Sequence, residues 1–520
     1  MLRATTSNKT VITQFLLDAE VELKGYQAEI NRLQARIYAL NSQKRHSKST
    51  MDLCQSLLSP IYRMPPEILE MVFAFACEKN DLKPSVPPPA VQLSMVCGRW
   101  REIVLSSPNF WSTISINFTE WKWSSYSALT AITRFFVQQS NPSLLQVSLT
   151  FPQHEIDPGA LPSLINLTQQ STRWQRLSLE FHDPFFPVFV LRGIRSHLPA
   201  LESLRVIRRS YEASSQTLSF DFFDACPSLH TLDISPEILP NPRNSVGPPP
   251  LPLEQIKTLR LDSSYNLAAL VLTSHCHNLE RIEFDEVGGS CVPWPDYEGH
   301  IVSNSVRLLA IRAVNQTEVN DVLRHSTLSG LTSLAISGVG YSMGNWVWDN
   351  TILEDFSLRS SFHLTHLHLR YLPITDLHLL SLLANLPSLT HLSVQELPKA
   401  TTNRIVTKLF LNSLAMAPPA IHSSSPYLPS LTEMNLHIHD NDMDAQVFVD
   451  LVTSRSHLVA EHEQEVGRAF LQSVSIVVLT EKPERRPLDS LCCFRDTGVR
   501  VSLTYRCPSN LEAVEVSWCT

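Results

Sequence analysis

The residues best equipped for chemistry in this sequence are histidines and cysteines, and their spacing argues against a reaction. His366 and His368 are two apart, would share one face of a strand and could in principle offer two ligands to a metal ion. His363 precedes them, His275 and His277 flank Cys276, and His437 and His439 repeat the spacing. No carboxylate or cysteine framework at standard ligand spacing accompanies any of them. Cys492, Cys493, Cys507 and Cys519 fail it too, because adjacent cysteines cannot easily supply two corners of one tetrahedron, so these are expected to be buried thiols. The sequence holds no G-x-S-x-G elbow, no G-x-x-x-x-G-K-[ST] phosphate loop, no H-E-x-x-H pair and no G-x-G-x-x-G turn. These absences predict a chain that is not an enzyme, with no catalytic residue, no metal and no cofactor. Its function is expected to be binding.

The elements that would position a binding surface are written as an internal repeat. From residue 140 onward the pattern L-x-x-L-x-L recurs, with apolar substitutes, from Leu144/Val147/Leu149 and Trp174/Leu177/Leu179 through to Leu364/Leu367/Leu369 and Leu389/Leu392/Val394. Ten copies step by about 27 residues on average, inside the 20–29 range of leucine-rich repeats. Weaker copies stand at Leu431/Met434/Leu436 and Leu471/Val474/Ile476, after longer intervals that must contain insertions. A single copy buries too few side chains to order itself, so stability must come from stacking. The fold class predicted is α/β, an irregular leucine-rich-repeat solenoid, a horseshoe with a parallel sheet on its concave side and outer return segments such as a helix over 376–384. Few copies carry the buried asparagine or cysteine of regular arrays, so curvature is expected to vary.

Strand side chains alternate in direction, so the residues flanking each inward pair point to the concave face. These include Arg260, Asp262, Arg281, Glu283, Asp285, Arg312, His366, His368 and Arg370, the candidate target-binding residues, together with Arg176, Arg205, Asp233, His391, Gln395, Glu433, Asn435 and His437. A wide surface of mixed charge suits a protein ligand better than a small molecule.

The 520 residues are 43% hydrophobic and 18% charged, with 73 leucines and 35 prolines, which excludes global disorder. A net charge of −8 with 42 basic residues spread along the chain offers no cationic face for a nucleic acid. No apolar run approaches the roughly 20 residues of a membrane span, and the N-terminus lacks the apolar core of a signal peptide. Ten sparse cysteines suit reduced thiols. A soluble cytoplasmic or nuclear protein with no membrane contact is expected.

Ahead of the repeats, Leu16, Ala19, Leu23, Tyr26, Ile30, Leu33, Ile37 and Leu40 alternate steps of three and four, a heptad seam within residues 11–42. Two readings of this short coiled-coil helix stay open: a homodimer through residues 16–40, or packing on the rest of its own protein. The polar tract 41–50 is expected to end the helix as a solvated linker.

Next, Leu58-Ser-Pro-Ile-Tyr-Arg-Met-Pro-Pro-Glu-Ile-Leu-Glu-Met-Val-Phe-Ala-Phe75 predicts a short amphipathic helix. Pro65 and Pro66 fix φ at its mouth, Glu67 complements its N-terminal dipole, and Ile68, Leu69, Val72 and Phe73 recur at helical spacing. After the prolines of 84–89, a second helix is expected to carry Leu93, Val96, Cys97, Trp100 and Ile103 on one stripe, closed by Pro108-Asn-Phe-Trp111.

Residues 57–112 resemble the F-box as fungal F-box proteins write it: Met64-Pro-Pro-Glu-Ile-Leu69, then Val96-Cys-Gly-Arg-Trp100, then Trp111. Met64 stands where leucine is usual, and the 75–93 connection is longer and richer in proline than the common pattern. The resemblance implies docking on the Skp-type adaptor, and through it the cullin, of a Skp–cullin–F-box ubiquitin ligase. It carries over Met64, Pro65, Glu67, Ile68, Leu69, Val72, Phe73, Val96, Cys97 and Trp100 as adaptor-facing, with the repeats holding a protein target. The alternative is a leucine-rich-repeat interaction scaffold with no ligase role. The expected organisation is thus a coiled-coil helix over 11–42, an F-box over 57–112, a cap over 113–140, repeats over 141–400 and irregular repeats over 401–520.

Overall fold

The structure is a computed structural model of the chain, and it describes residues 6–153, 156–182, 194, 198–208, 223–235, 251–262, 273, 275–287, 300–339, 346, 348–397, 404–415, 427–439, 445–456, 469–480, 488, 491, 494 and 499–507. It divides into two compact units, residues 1–75 and 76–520.

In the first unit α1 (Thr6–Leu58) is one unbroken helix of 53 residues, about 80 Å at 1.5 Å per residue. It runs straight through the tract 41–50 that was expected to end it. That tract is polar but contains neither proline nor glycine, and polarity alone does not stop a helix. Arg45 and Thr50 bond back to the carbonyls of Asn41 and His46 instead, 3.4 and 3.0 Å away. The stop comes at Ser59-Pro60, where a 3-10 turn over Pro60–Arg63 begins. The carbonyl of Pro65 then accepts from the amides of Ile68 and Leu69 and opens α2 (Pro66–Ala76).

In the second unit α3 (Pro89–Val96) and α4 (Gly98–Ser106) stand where a single helix was expected. Cys97 is extended, with φ −158° and ψ 170°, and breaks the stripe between Val96 and Trp100. Its carbonyl accepts from the Arg101 amide to start α4, while the Arg101 side chain caps the end of α3 at Ser94 O, 3.0 Å. Asn80 is fully buried and ties this region together: its amide nitrogen donates to Phe110 O at 2.7 Å and Cys77 O at 3.3 Å, and its oxygen accepts from Ala90 N.

The strands, in chain order, are β1 (Thr113–Asn117), β2 (Leu145–Thr150), β3 (Trp174–Phe181), β4 (Ser203–Arg208), β5 (Thr231–Ile234), β6 (Thr258–Asp262), β7 (Arg281–Val287), β8 (Ile301–Ser303), β9 (Leu308–Ala313), β10 (Ser326–Leu328), β11 (Ser333–Gly338), β12 (His366–Arg370), β13 (His391–Gln395), β14 (Glu433–His439), β15 (Ser473–Leu479) and β16 (Arg500–Arg506). All but β8 and β10, which pair with each other, form one parallel 14-stranded sheet whose order follows the sequence. The fold is α/β and solenoid-like, with each strand laid beside the last.

Register explains the repeat. The first aliphatic of each inward pair stacks on the next from Ile114 and Val147 through Leu367 and Leu392 to Met434, Val474 and Val501, and every member of that ladder is buried. The first copy shifts by one: Leu144 is exposed and Leu145 takes its buried place, at a register irregularity between β2 and β3. The segment 113–140, expected only to cap the stack, contributes β1 and a helix over Tyr126–Gln139. Residues 80–82 bridge onto that edge strand, Leu82 N donating to Ser115 O at 2.8 Å and Ser115 N to Asn80 O at 3.1 Å. A sheet edge covered in this way offers no template for further pairing.

Return segments carry helices over Leu161–Thr168, Gln316–Arg324, Thr351–Ser360, Asp376–Ala384, Lys408–Leu414 and Ala445–Ser454. Three arginines join neighbouring copies by capping the preceding helix, whose last carbonyls have no partner of their own. Arg173 donates to Ser140 O at the end of the helix over Tyr126–Gln139, Arg359 to Leu323 O at 2.6 Å, and Arg455 to Leu414 O at 2.6 Å.

Candidate functional site

The candidate residues fall into two sets of opposite character, and the first set is apolar. On α2, Leu69 and Phe73 are buried, at 0% and 2% exposure, whereas Ile68, Met71, Val72 and Phe75 are exposed, Phe75 at 80%. At 100° per residue those four side chains form one outward row and Leu69 and Phe73 point about a third of a turn away from it. Leu69 and Phe73 are therefore covered while Ile68 and Val72 are not, so the four apolar positions expected to share one face divide between two. Pro65 and Glu67 are exposed and Met64 half-buried at the mouth of the helix. Within the second unit, Val96 and its neighbour Met95 are exposed at the end of α3, while Cys97 and Trp100 are half-buried. Trp111 belongs to the core: its Nε1 donates to Val104 O at 2.9 Å, and its ring meets Phe135 and Phe136 edge-on at 5.1 Å.

The second set lies on the open face of the sheet, where the register makes columns of polar side chains. One column runs Ser178, Arg205, Asp233, Arg260, Glu283, Ala310, Ala335, His368, Ser393, Asn435. Its charged stretch pairs within itself and with the neighbouring columns. Arg205 meets Asp233 at 2.7 Å, Arg281 meets Glu283 at 3.7 Å, and Asp285 is held by both Arg260 and Arg312, the latter at 3.0 Å. Burial alone would lower the Arg260 guanidinium, but the hydrogen bond and charge of Asp285 outweigh it and raise it. The Asp262 side chain lies outside the described residues; its backbone stands beside Asp285.

Beyond this patch, the small residues Ala310, Ser333 and Ala335 leave a cavity of about 940 Å³ between Arg281 and Arg307 on one side and His366, His368 and Arg370 on the other. The cavity extends along the sheet to Glu433, Asn435 and Ser475. The structure thus separates eight of the nine candidates of this face, Asp262 aside: Arg281, His366, His368 and Arg370 line the cavity, while Arg260, Glu283, Asp285 and Arg312 form the paired patch. A residue type short enough to make a floor was the signal that strand periodicity alone overlooked.

The histidine that meets His366 comes from the next strand. His366 stacks on His391 of the next strand, ring centroids 4.0 Å apart and 13° from parallel. Thr365 Oγ1 gives its proton to Thr332 O, and Thr390 Oγ1 to Thr365 O, so each hydroxyl accepts from the Nδ1 of the following histidine at 2.8 Å. Both rings are therefore held as Nδ1–H tautomers with Nε2 as the remaining acceptor. The His391 Nε2 lies 3.5 Å from a Glu433 carboxylate oxygen, a contact that attracts only when the ring is protonated.

Burial first, and positive neighbours second, push His366, His368 and His437 below the ordinary 6.5; His391 adds to the first, His366 and His391 to the second, and Arg370 and Arg506 hold His437 at about 4. These rings stay neutral in the folded chain, so on acidification the unfolded chain binds protons first. Their contribution to stability is fully present above about pH 6.5 and declines from there toward pH 4, the range between the unfolded and folded values of His437. The urea midpoint is expected to fall between pH 7 and pH 5, and to fall less in His437→Gln; equal slopes in the two proteins would exclude His437 as a source.

Among the described residues no group of three His, Cys, Asp or Glu side chains could hold a metal ion. Cys77, Cys226 and Cys276 are buried thiols pushed up by burial to about 11, 12 and 12. Cys492, Cys493 and Cys519 lie outside the described residues. No described helix is long and apolar enough to cross a membrane.

No protein-family model matches the sequence, and no curated protein matches it.

Proposed function

We propose that the chain is the substrate-recognition subunit of a Skp–cullin–F-box ubiquitin ligase, working in the cytoplasm, the nucleus or both. The observation that carries this reading is the outward row of α2. Ile68, Met71, Val72 and Phe75 expose four large apolar side chains on a helix of eleven residues, directly after the Met64-Pro-Pro-Glu sequence that resembles an F-box. An apolar row of that size suits a protein partner, and the Skp-type adaptor is the partner the resemblance implies, with the cullin bound through it.

In this reading the open face of the sheet holds a protein target. The Ala310–Ala335 floor receives a projecting target side chain, with Arg281, Arg307 and Arg370 beside it to meet an acidic group and the His366 Nε2 to accept from a donor. The chain itself makes and breaks no bond. It raises the effective concentration of target lysines near the charged conjugating enzyme carried by other subunits.

Calorimetry of the full chain with a purified Skp-type adaptor tests the proposal. Specific binding is expected for the native chain, and no binding by a chain whose circular dichroism shows it folded would sink the ligase reading and leave a repeat scaffold.

A further inference from the structure

We propose that two copies of this chain associate through α1 as an antiparallel coiled coil. The inference stands independently of the ligase reading.

The seam is uncovered along its length. Leu16, Leu23, Tyr26, Ile30, Leu33, Ile37 and Leu40 are 47% to 66% exposed, and Ala19 is half-exposed. Together the seven large side chains present on the order of 800 Å² per copy, so mutual burial would reach about 1,600 Å², the size of a standard stable interface. Gly25 falls outside the seam, with open space around it, and does not interrupt the stripe.

Packing and charge decide the direction. Parallel helices place like on like: Ala19 would face the partner's Ala19 and leave a gap, and Tyr26 would crowd the partner's Tyr26. Continuing the same spacing, Lys44 occupies a core position and would face the partner's Lys44, two ammonium groups with no counter-charge between them. Antiparallel helices centred between Tyr26 and Ile30 give layers of even volume instead. Leu16 meets the partner's Leu40, Ala19 the partner's Ile37, Leu23 the partner's Leu33 and Tyr26 the partner's Ile30. Lys44 then lies over the partner's Ile12, where its alkyl stem can pack and its ammonium reach water.

The flanking charges agree. In the parallel arrangement Glu22 and Glu29 face the partner's Gln27 and the partner's Gln34, which carry no charge. In the antiparallel one Glu22 faces the partner's Arg36 at both ends of the seam. The single like pair, Glu29 with the partner's Glu29 at the centre, is moderated by Arg32, 3.5 Å from Glu29 in the same helix. Opposed helix macrodipoles act in the same sense.

The test uses the full chain. Sedimentation equilibrium is expected to give twice 58.7 kDa, and Ile30→Asp with Leu33→Asp to weaken association by roughly 100-fold or more. Orientation is read in a Cys54→Ser background, which removes the exposed thiol of α1. Copies carrying A19C are mixed with tagged copies carrying I37C and oxidised. The antiparallel arrangement predicts a disulfide between the two variants and none from A19C alone. A monomer, a trimer or a tetramer would overturn the proposal, and so would an A19C-to-A19C disulfide, the signature of parallel helices.

Discussion

Replacing Arg455 with alanine is expected to destabilise the chain by about 4 kcal/mol. Its side chain is 1% exposed, and its three guanidinium nitrogens donate to Leu414 O at 2.6 Å, Leu428 O at 2.9 Å and Tyr427 O at 2.5 Å. Leu414 ends a helix, and Leu428 holds a left-handed backbone at φ 52° that a leucine rarely adopts. Removing the donors leaves buried carbonyls unpaired at about 1–3 kcal/mol each, partly offset because the charge no longer has to be desolvated. Burial pushes the guanidinium down to about 10. Methionine fills most of the same volume without donors, so Arg455→Met isolates the loss of the caps, and the difference between the two variants measures the cavity. Urea midpoints for the three proteins check the ranking; an Arg455→Met midpoint equal to that of the native chain would show that the caps contribute nothing net.

The second large effect separates folding from docking on α2. Val72→Asp with Phe75→Asp is expected to weaken adaptor binding by at least roughly 100-fold, because a charge replaces an apolar contact at each of two positions. The thermal midpoint should change little, as both side chains are exposed, at 48% and 80%. Leu69→Ala is expected to do the reverse. Its side chain is fully buried, so truncation costs about 2–5 kcal/mol of stability and leaves adaptor affinity intact in the folded fraction. Calorimetry and a melting curve on both proteins read the two effects. Loss of binding in Leu69→Ala with a native melting curve would show that the docking face has been assigned to the wrong side of the helix.

The two sides of α2 show where sequence reasoning stops. Ile68, Leu69, Val72 and Phe73 recur at helical spacing, which identifies a helix but groups inward and outward apolar residues together. Met71 and Phe75 complete the outward row, and helical spacing alone does not say which side of a helix is covered. The same limit appears at Cys97, where an apolar stripe continues across a break that only backbone geometry reveals. In α1 the reverse happened: hydropathy suggested an end at residue 41, yet a helix ends where proline or lost capping stops it, at Ser59-Pro60.

By itself the sequence determined the strands of the repeat copies, though not β1, β8, β10 or β16, which lie outside that pattern. The L-x-x-L-x-L spacing is a local consequence of side-chain alternation, so Leu367 and Leu369 had to point one way and His366, His368 and Arg370 the other. What only the tertiary structure decided is which residues from different copies become neighbours. Asp285 lies between Arg260 and Arg312, His366 stacks on His391, and Ala310 and Ala335 open a cavity because register places them side by side. Arg455 reaches a carbonyl 41 residues earlier in the chain. Such contacts depend on the lengths and paths of the return segments, which vary from copy to copy, and a periodic pattern carries no record of them.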